Sequence, residues 1–231
     1  MGTRFDPGTR RVLRGFVAAG ALAAGACAAP SRSGSQTEEG FEFRSALEPQ
    51  RPVVATGRLE VLEFFWYGCP HCNAMEPPLA RWRARQPPDV VFRKVHAALA
   101  PRWSTHQRLF FALRQLGADE ALDARVFRAI HVDGLPIDTR DAAADLVAAA
   151  GLSRPAFLSA WVSPATDAAI RDADALGQAL GISGVPSLAV QGRWVTTPTM
   201  AGSYAEALAV VDVLLERERV ATRGGTGAAT R

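Results

Sequence analysis

Cysteine is scarce in this 231-residue chain, with three in all, and lysine is scarcer, since Lys94 is the only one. Cys69 and Cys72 stand two residues apart, while Cys27 lies near the N-terminus. A structural zinc site needs four ligands, usually from two Cys or His pairs, and no second pair exists here. A c-type haem needs histidine directly after the second cysteine, where the chain has Asn73. Neither a zinc site nor a haem site is therefore expected.

Excess charge is also missing from most of the chain. The formal net charge is +3, and the first 28 residues, with four arginines and one aspartate, account for all of it. The remaining residues carry 22 basic and 22 acidic side chains, and no basic stripe with interleaved aromatics occurs among them. Nucleic acid is therefore not an expected partner. No apolar run after the N-terminal segment is long enough to span a bilayer.

Residues 1–28 have the pattern of an export signal. A basic start precedes a short apolar stretch, residues 16–25, and Ala-Cys-Ala around Cys27 fits a small-x-small cleavage site that leaves Ala29 first. A membrane anchor is disfavoured because the apolar stretch is short. The arginine pair within residues 9–14 leaves a twin-arginine route open beside the general secretory route, and lipidation of Cys27 is a further alternative. Export predicts a periplasmic protein, and cleavage would leave it with two cysteines.

The strongest local pattern is a strand that runs into the cysteine pair. Residues 59–66 are apolar on both faces except for two glutamates, as in a central strand covered by helices. Pro70 suits the first turn of a following helix, which places Cys69 at the helix N-terminus. Unpaired N–H groups there favour a thiolate, and His71 adds a possible donor or positive charge.

A stabilised thiolate stabilises the reduced protein and makes the oxidised form a better oxidant. The pattern therefore favours a redox-active pair over a purely structural disulfide between Cys69 and Cys72.

Two segments together carry a family resemblance. Residues 64–72, Phe-Phe-Trp-Tyr-Gly-Cys-Pro-His-Cys, and the downstream Gly184-Val185-Pro186-Ser187 resemble the DsbA family of periplasmic thiol:disulfide oxidoreductases. The similarity covers about residues 41–218. It implies an α/β thioredoxin-like fold with an inserted all-helical domain, in which catalysis depends on Cys69, Pro70, His71 and Cys72.

The resemblance also implies roles for residues outside the pair. Pro186 is expected to follow a cis peptide bond and to face the cysteines, although only about 5% of such bonds are cis. Val185 would then offer backbone hydrogen bonds to an extended substrate. Glu63 and Lys94 correspond to an acid and a lysine that assist proton transfer to the buried cysteine. The alternative is that both are solvated residues at strand ends.

The chain is expected to divide into six parts. These are an export signal (1–28), a flexible leader with a short edge strand at residues 41–43 (29–56), the first half of the thioredoxin-like domain (57–103), a helical insertion (104–174), the second half (175–219) and a disordered tail (220–231).

The expected function is donation of a disulfide to reduced, newly exported polypeptides. The cysteine pair is itself the redox centre, so no metal or dissociable cofactor is expected, and a monomer is expected. The resemblance implies reoxidation by a quinone-linked membrane protein of DsbB type. Alternatives are a disulfide reductase or isomerase, a specialised oxidase with few clients, and a non-enzymatic peptide-binding or chaperone module.

Overall fold

The computed structural model describes residues 37–226, in which five strands and eight α-helices are present. In chain order the elements are β1 (Arg44–Ser45), β2 (Leu59–Phe65), α1 (Pro70–Ala84), β3 (Val90–His96), a 3₁₀ turn (Pro101–Trp103), α2 (Ser104–Gln115), α3 (Asp119–His131), α4 (Arg140–Ala149), α5 (Arg154–Trp161), α6 (Pro164–Leu180), β4 (Ser187–Val190), β5 (Trp194–Thr196), α7 (Pro198–Ala201) and α8 (Tyr204–Thr226).

The strands form one mixed sheet in the order β1-β5-β4-β2-β3. Strand β2 pairs in parallel with β3 and antiparallel with β4, and every residue of β2 is buried. The parallel register places Glu63 opposite Lys94 and Phe65 opposite His96. These pairs lie near the carboxyl ends of both strands, next to the turn that carries the cysteines.

The two faces of the sheet bury different sets of side chains. Val61 points to the face covered by α1 and α8, where Leu79 and Val211 belong to the same buried cluster. Phe64 points to the opposite face and joins the cluster that holds Ala173 of α6. Helices on both faces explain the nearly continuous apolar sequence of β2, because neither side of the strand meets water. The expected α/β thioredoxin-like architecture is present.

Three of the helices that follow β3 begin at hydroxyl caps. The side chains of Thr139, Ser153 and Ser163 each accept a hydrogen bond from the backbone N–H three residues later, at the starts of α4, α5 and α6. Such caps satisfy backbone donors that a helix start leaves unpaired. Helices α2 to α5 lie within the range expected for the insertion.

Helix α6 crosses the end at residue 174 that the sequence suggested for the insertion. It runs unbroken to Leu180, and both Ala173 and Leu180 are buried. The chain first breaks at Gly181, which adopts a left-handed conformation with φ of 69°. A glycine takes this conformation without a Cβ clash. The insertion and the second half of the domain are thus joined by a continuous helix.

The leader differs from expectation within its described part, residues 37–56. The edge strand is Arg44–Ser45 and not residues 41–43, because Arg44 pairs with Val195 of β5. The Arg44 guanidinium donates hydrogen bonds to the carbonyl oxygens of Leu180, at 3.0 Å, and Gly181, at 2.5 Å. These bonds satisfy the end of α6, so this stretch is ordered and not a flexible leader.

The expected tail also begins too early. Helix α8 continues past residue 220 to Thr226. The Arg219 guanidinium donates to Asp89 at 2.9 Å, and the buried Glu218 accepts from the Trp194 indole N–H at 2.7 Å. These contacts hold the last turns of the helix against the sheet and the loop before β3. Residues 227–231 of the expected tail lie outside the described residues.

The export signal, Cys27 and residues 29–36 of the leader also lie outside the described residues. Among the helices of residues 37–226, none has the length and apolar character needed to cross a membrane.

Candidate active site

Cys69 occupies the N-cap of α1, and Pro70 is the first helical residue. The turn is tight, since the Cys69 N–H donates to the Trp66 carbonyl at 3.0 Å. Gly68 is required there because the Trp66 ring fills the space that a Cβ would occupy. The sequence prediction that Cys69 begins the helix is correct, and both Cys69 and Cys72 are free thiols in the structure.

The environment lowers the pKa of the Cys69 thiol from 9.0 to about 6. The largest cause is a hydrogen bond from the Cys72 thiol, followed among the lowering effects by the backbone N–H groups of Cys72 and His71. The charge of the His71 imidazole contributes least of these, and burial acts in the opposite direction. The helix start therefore stabilises the thiolate as the sequence predicted, but the neighbouring thiol does more than either the helix or His71.

Cys72 has the opposite environment. It lies one turn inside α1, is fully buried, and its pKa is raised mainly by loss of solvation. The two sulfurs are therefore inequivalent. Cys69 is stable as a thiolate near neutral pH, whereas Cys72 is stable only as a thiol.

The loop before β4 faces Cys69. The Val185–Pro186 peptide bond is cis, as expected, and the Cys69 sulfur lies 3.6 Å from the Val185 carbonyl oxygen. The Ser187 hydroxyl donates to the Gly184 carbonyl at 2.7 Å and braces the loop. The first cysteine and the proline loop are therefore in direct contact.

A groove of about 360 Å³ runs beside this contact. His71, Val185 and Pro186 line it together with residues 197–200 and Tyr204. The His71 Nδ1 and the Tyr204 hydroxyl oxygen are 3.2 Å apart, which joins the cysteine turn to the start of α8. Since the groove is lined by His71 and by Val185, whose carbonyl oxygen contacts the Cys69 sulfur, an extended chain bound in it would pass close to Cys69.

Two histidines hold the backbone just before the cysteines. His96 is buried, and its Nε2 accepts a hydrogen bond from the Tyr67 backbone N–H at 3.4 Å. His131 places its own Nε2 2.7 Å from the Tyr67 carbonyl oxygen. Burial lowers the pKa of His96 well below the usual value, so its neutral form is the stable one. Both histidines thus support the peptide behind the site.

The expected acid and lysine meet beneath the pair. Glu63 has no exposed side-chain area, and its carboxylate oxygen lies 3.6 Å from the Lys94 Nζ. The same Nζ lies 2.5 Å from an oxygen of Glu76 and 2.5 Å from an oxygen of Asp123. Glu63 and Lys94 are thus interior groups, and the alternative that they are solvated strand ends is wrong.

Burial raises the pKa of Glu63 to about 8, against the opposing effect of Lys94 and with smaller raising effects from Glu76 and Asp123. The pKa of Lys94 is itself raised because the three surrounding carboxylates outweigh its burial. The cluster therefore combines a charged lysine with a carboxyl group that keeps its proton at neutral pH.

Three further residues at this site were not predicted from the sequence. Glu76 had a local signal, because residues four apart share one face of a helix and Cys72 is four positions earlier. Asp123 and Tyr204 had none. Their contacts depend on where α3 and α8 pack, which no short sequence pattern reveals.

Comparison with known proteins agrees with this geometry. The family model of the DSBA-like thioredoxin domain matches residues 60–207. A relative from Azotobacter vinelandii named thiol:disulfide interchange protein DsbA is 36% identical over 213 residues, covering 92% of this chain and 99% of the relative. A Pseudomonas aeruginosa protein of the same name is 36% identical over 172 residues, which cover 74% of this chain and 82% of the Pseudomonas protein.

Solved structures of similar fold carry the same name. The crystal structure of Pseudomonas aeruginosa DsbA matches with a TM-score of 0.76 and 34% identity, covering 81% of this chain and 97% of that one. The crystal structure of the oxidoreductase DsbA from Xylella fastidiosa matches with a TM-score of 0.72 and 30% identity, covering 78% and 96%.

The thiol-to-thiolate hydrogen bond gives a direct prediction for Cys72→Ala. Removing the donor should raise the Cys69 pKa by roughly one unit from its value near 6, because the charged form loses its largest stabilising contact. Absorbance of the thiolate at ultraviolet wavelengths, followed against pH in the reduced protein, measures this midpoint. Cys72→Ser is the matched control, since its hydroxyl can still donate and the rise should be smaller. Equal midpoints in all three proteins would contradict the assignment.

The raised pKa of Glu63 predicts a pH-dependent stability difference for Glu63→Gln. Between pH 4.5 and about pH 8, Glu63 keeps a proton in the folded protein that it releases in the unfolded chain. Wild-type stability should therefore fall across this window by up to about 1.4 kcal/mol per pH unit, while the variant lacks this loss. Urea unfolding at several pH values measures the difference, which should grow with pH and level off above 8.

Asp145→Asn is the control for the loss of one carboxylate, because the Asp145 side chain is 72% exposed and pairs with Arg154 of α5. It should follow the wild-type pH dependence. A Glu63→Gln difference that is constant from acid to alkaline pH would show that Glu63 ionises normally in the folded protein.

Proposed function

Because this chain belongs to the DSBA-like thioredoxin domain family, we propose that Cys69 and Cys72 are the redox centre with which it donates disulfides to reduced, newly exported polypeptides. The chain is a thiol:disulfide oxidoreductase. The observation that supports the donor direction is the inequality of the two thiols. One is stabilised as a thiolate and the other is held protonated.

The first step begins with the pair oxidised. A substrate thiolate attacks the Cys69 sulfur, a new substrate–Cys69 disulfide forms, and the Cys69–Cys72 bond breaks. The bonding electrons leave with the Cys72 sulfur. Since this sulfur is buried and stable only as a thiol, it must take up a proton at this stage.

The second step releases the oxidised substrate. A second substrate thiolate attacks the substrate sulfur of the mixed disulfide, and Cys69 departs as a thiolate. The substrate has lost two electrons and the pair has gained them. The Cys72 thiol and the backbone N–H groups at the start of α1 stabilise the departing thiolate, so the reaction runs toward the oxidised substrate.

Glu63 is the proton donor for the first step in this proposal. Its carboxyl group keeps a proton at neutral pH. Once ionised, its negative charge is one of the causes that raise the pKa of Cys72, so the two groups are electrostatically linked. Lys94 remains charged beside it and stabilises the carboxylate that is left after the proton moves. Reoxidation of the pair returns the proton to Glu63.

The groove beside Pro186 is the proposed substrate site. An extended polypeptide in it would pass Val185 and His71 on its way to the Cys69 sulfur. Recognition through the backbone of Val185 suits an enzyme with many clients, because main-chain hydrogen bonds carry little sequence information.

The proposed compartment is the periplasm, reached with the export signal of residues 1–28. The electrons collected by the pair would pass to a quinone-linked membrane protein of DsbB type. Disulfide exchange by the pair itself uses no metal or dissociable cofactor, and the protein would act as a monomer.

The redox potential of the pair tests the direction of the reaction. Equilibration of the purified protein, residues 29–231, with defined glutathione mixtures should give a potential well above the thioredoxin value of about −270 mV. A potential near that of thioredoxin would contradict the donor direction and favour the reductase alternative.

Cys69→Ser should abolish oxidation of a reduced, unfolded substrate, and retention of full function in an exporting host would instead favour a peptide-binding role.

The proposed reoxidant gives a separate prediction. Bacterial membranes that contain a DsbB-type protein and quinone should reoxidise the reduced pair and consume oxygen, while the same membranes depleted of quinone should not. Cys69→Ser is the control, because it lacks the sulfur that would exchange with the membrane protein. Oxygen consumption measures the reaction, and no difference between the two membrane preparations would contradict the partner.

A further inference from the structure

The group beneath the cysteines contains more negative than positive charge. Glu63 on β2, Glu76 on α1 and Asp123 on α3 all approach one ammonium group, that of Lys94 on β3. If all three carboxyl groups ionised, the net charge of this largely buried group would be −2. Burying uncompensated charge is costly, and keeping one proton on a carboxyl group is the simplest relief.

Distance and exposure indicate which carboxyl group keeps the proton. Glu76 and Asp123 each lie 2.5 Å from the Lys94 Nζ, and their side chains are 27% and 14% exposed. Glu63 lies at 3.6 Å and has no exposed area. Lys94 therefore pairs most closely with the two carboxylates that solvent also reaches. The negative charge of an ionised Glu63 would be the least well neutralised of the three.

Asp123 differs from the other two because it belongs to the helical insertion. Helix α3 brings it across to the sheet, where the Lys94 ammonium also lies 5.1 Å from the centre of the Phe127 ring, one helical turn further along. A cavity of about 280 Å³ is lined by both Lys94 and Asp123 but not by Glu63. Asp123 thus borders this cavity, whereas the buried acid does not.

We propose that Asp123 is a positioning residue for the proton step. By pairing with Lys94 from the insertion, Asp123 keeps this cation from approaching Glu63 closely, so that Glu63 retains the proton that it transfers to the departing Cys72 sulfur. This inference rests on the proposed function. Asp123 touches neither substrate nor the cysteines in this role, and it acts only through Lys94 and Glu63.

Other titratable or charged groups also face this cluster and must be considered beside Asp123. The groups that face the cluster from each adjacent element are Cys72, Glu76 and Arg83 on α1, Tyr67 after β2, Arg93 and His96 on β3, Arg114 on α2, and Asp119, Glu120 and His131 on α3.

The three arginines in this set are engaged elsewhere. Arg83 pairs with the exposed Glu120, Arg93 pairs with Glu60, and Arg114 donates to the Lys94 backbone carbonyl at 3.1 Å. Lys94 is therefore the cation on which the ionisation of Glu63 chiefly depends.

Asp123→Asn removes one negative charge and keeps the shape of the side chain. Lys94 loses a close partner and becomes free to approach Glu63, and both changes favour the ionised form of Glu63. The pKa of Glu63 should fall by roughly one unit or more from its value near 8. Less Glu63 would then carry a proton when the Cys72 sulfur leaves.

The measurement is the rate at which reduced glutathione forms a mixed disulfide with the oxidised protein, followed by tryptophan fluorescence. The rate is divided by the glutathione thiolate concentration and recorded on both sides of pH 8. In the wild type the corrected rate should fall once Glu63 loses its proton, and in Asp123→Asn this fall should begin at lower pH. Asp145→Asn, which removes an exposed carboxylate from α4 of the insertion, should keep the wild-type profile.

A double-mutant cycle separates this role from a structural one. Glu63→Gln should abolish the alkaline fall, and adding Asp123→Asn to it should change the profile no further. A wild-type profile in Asp123→Asn, or an equal shift in the Glu63→Gln background, would overturn the inference.

Two checks keep the test decisive. If Asp123→Asn does not fold, infrared difference spectra of the wild type against Glu63→Gln report on Glu63 directly. A protonated carboxyl band at neutral pH is expected, and its absence would overturn the inference. If the oxidised wild type exchanges no disulfide with glutathione at all, the proposed function fails, whereas exchange with a profile insensitive to Asp123 contradicts only the role of Asp123.

Discussion

The chemistry depends on the turn that joins β2 to α1, because this turn gives two neighbouring cysteines different surroundings. Cys69 caps the helix and receives hydrogen bonds from the Cys72 thiol and from backbone N–H groups. Cys72 lies one turn further in, where burial opposes its ionisation. A disulfide between two such sulfurs breaks unevenly, since one sulfur is a good leaving thiolate and the other requires a proton. The fold needs to supply that proton from the buried side.

In the proposed mechanism the buried side supplies this proton through an imbalance of charge. A single lysine faces three carboxyl groups from three different elements, so one proton remains in the cluster at neutral pH. An ion pair with matched charges would lack this property, because each carboxyl group would ionise against its own partner. The insertion contributes Asp123 to the imbalance and His131 to the backbone behind the cysteines. It is therefore part of the redox site and more than a cover for the sheet.

Sequence patterns predicted what depends on neighbours along the chain. Pro70 indicated the helix start, and the four residues around Pro186 indicated the cis bond through their family resemblance. Patterns did not predict contacts between distant elements. The pattern around Lys94 favoured a solvated strand residue, and only the packing of α3 shows that it is enclosed. The end of the insertion that the sequence suggested, residue 174, falls inside α6, whose last carbonyl groups are satisfied through Gly181 and through Arg44, which lies far away in sequence.

The same surroundings that make the pair an oxidant limit what else it can do. Reduction of a substrate disulfide requires Cys69 to attack as a thiolate, and a thiolate with a pKa near 6 is abundant but intrinsically less nucleophilic than one with a higher pKa. Resolution of the resulting mixed disulfide then requires Cys72 to lose its proton, which burial opposes. The second effect acts in both directions, because the same Cys72 sulfur departs in the first step of donation and must be protonated there. The low pKa of Cys69 favours disulfide donation at equilibrium, because it stabilises the reduced pair, while the high pKa of Cys72 makes a nearby proton donor important for the rate.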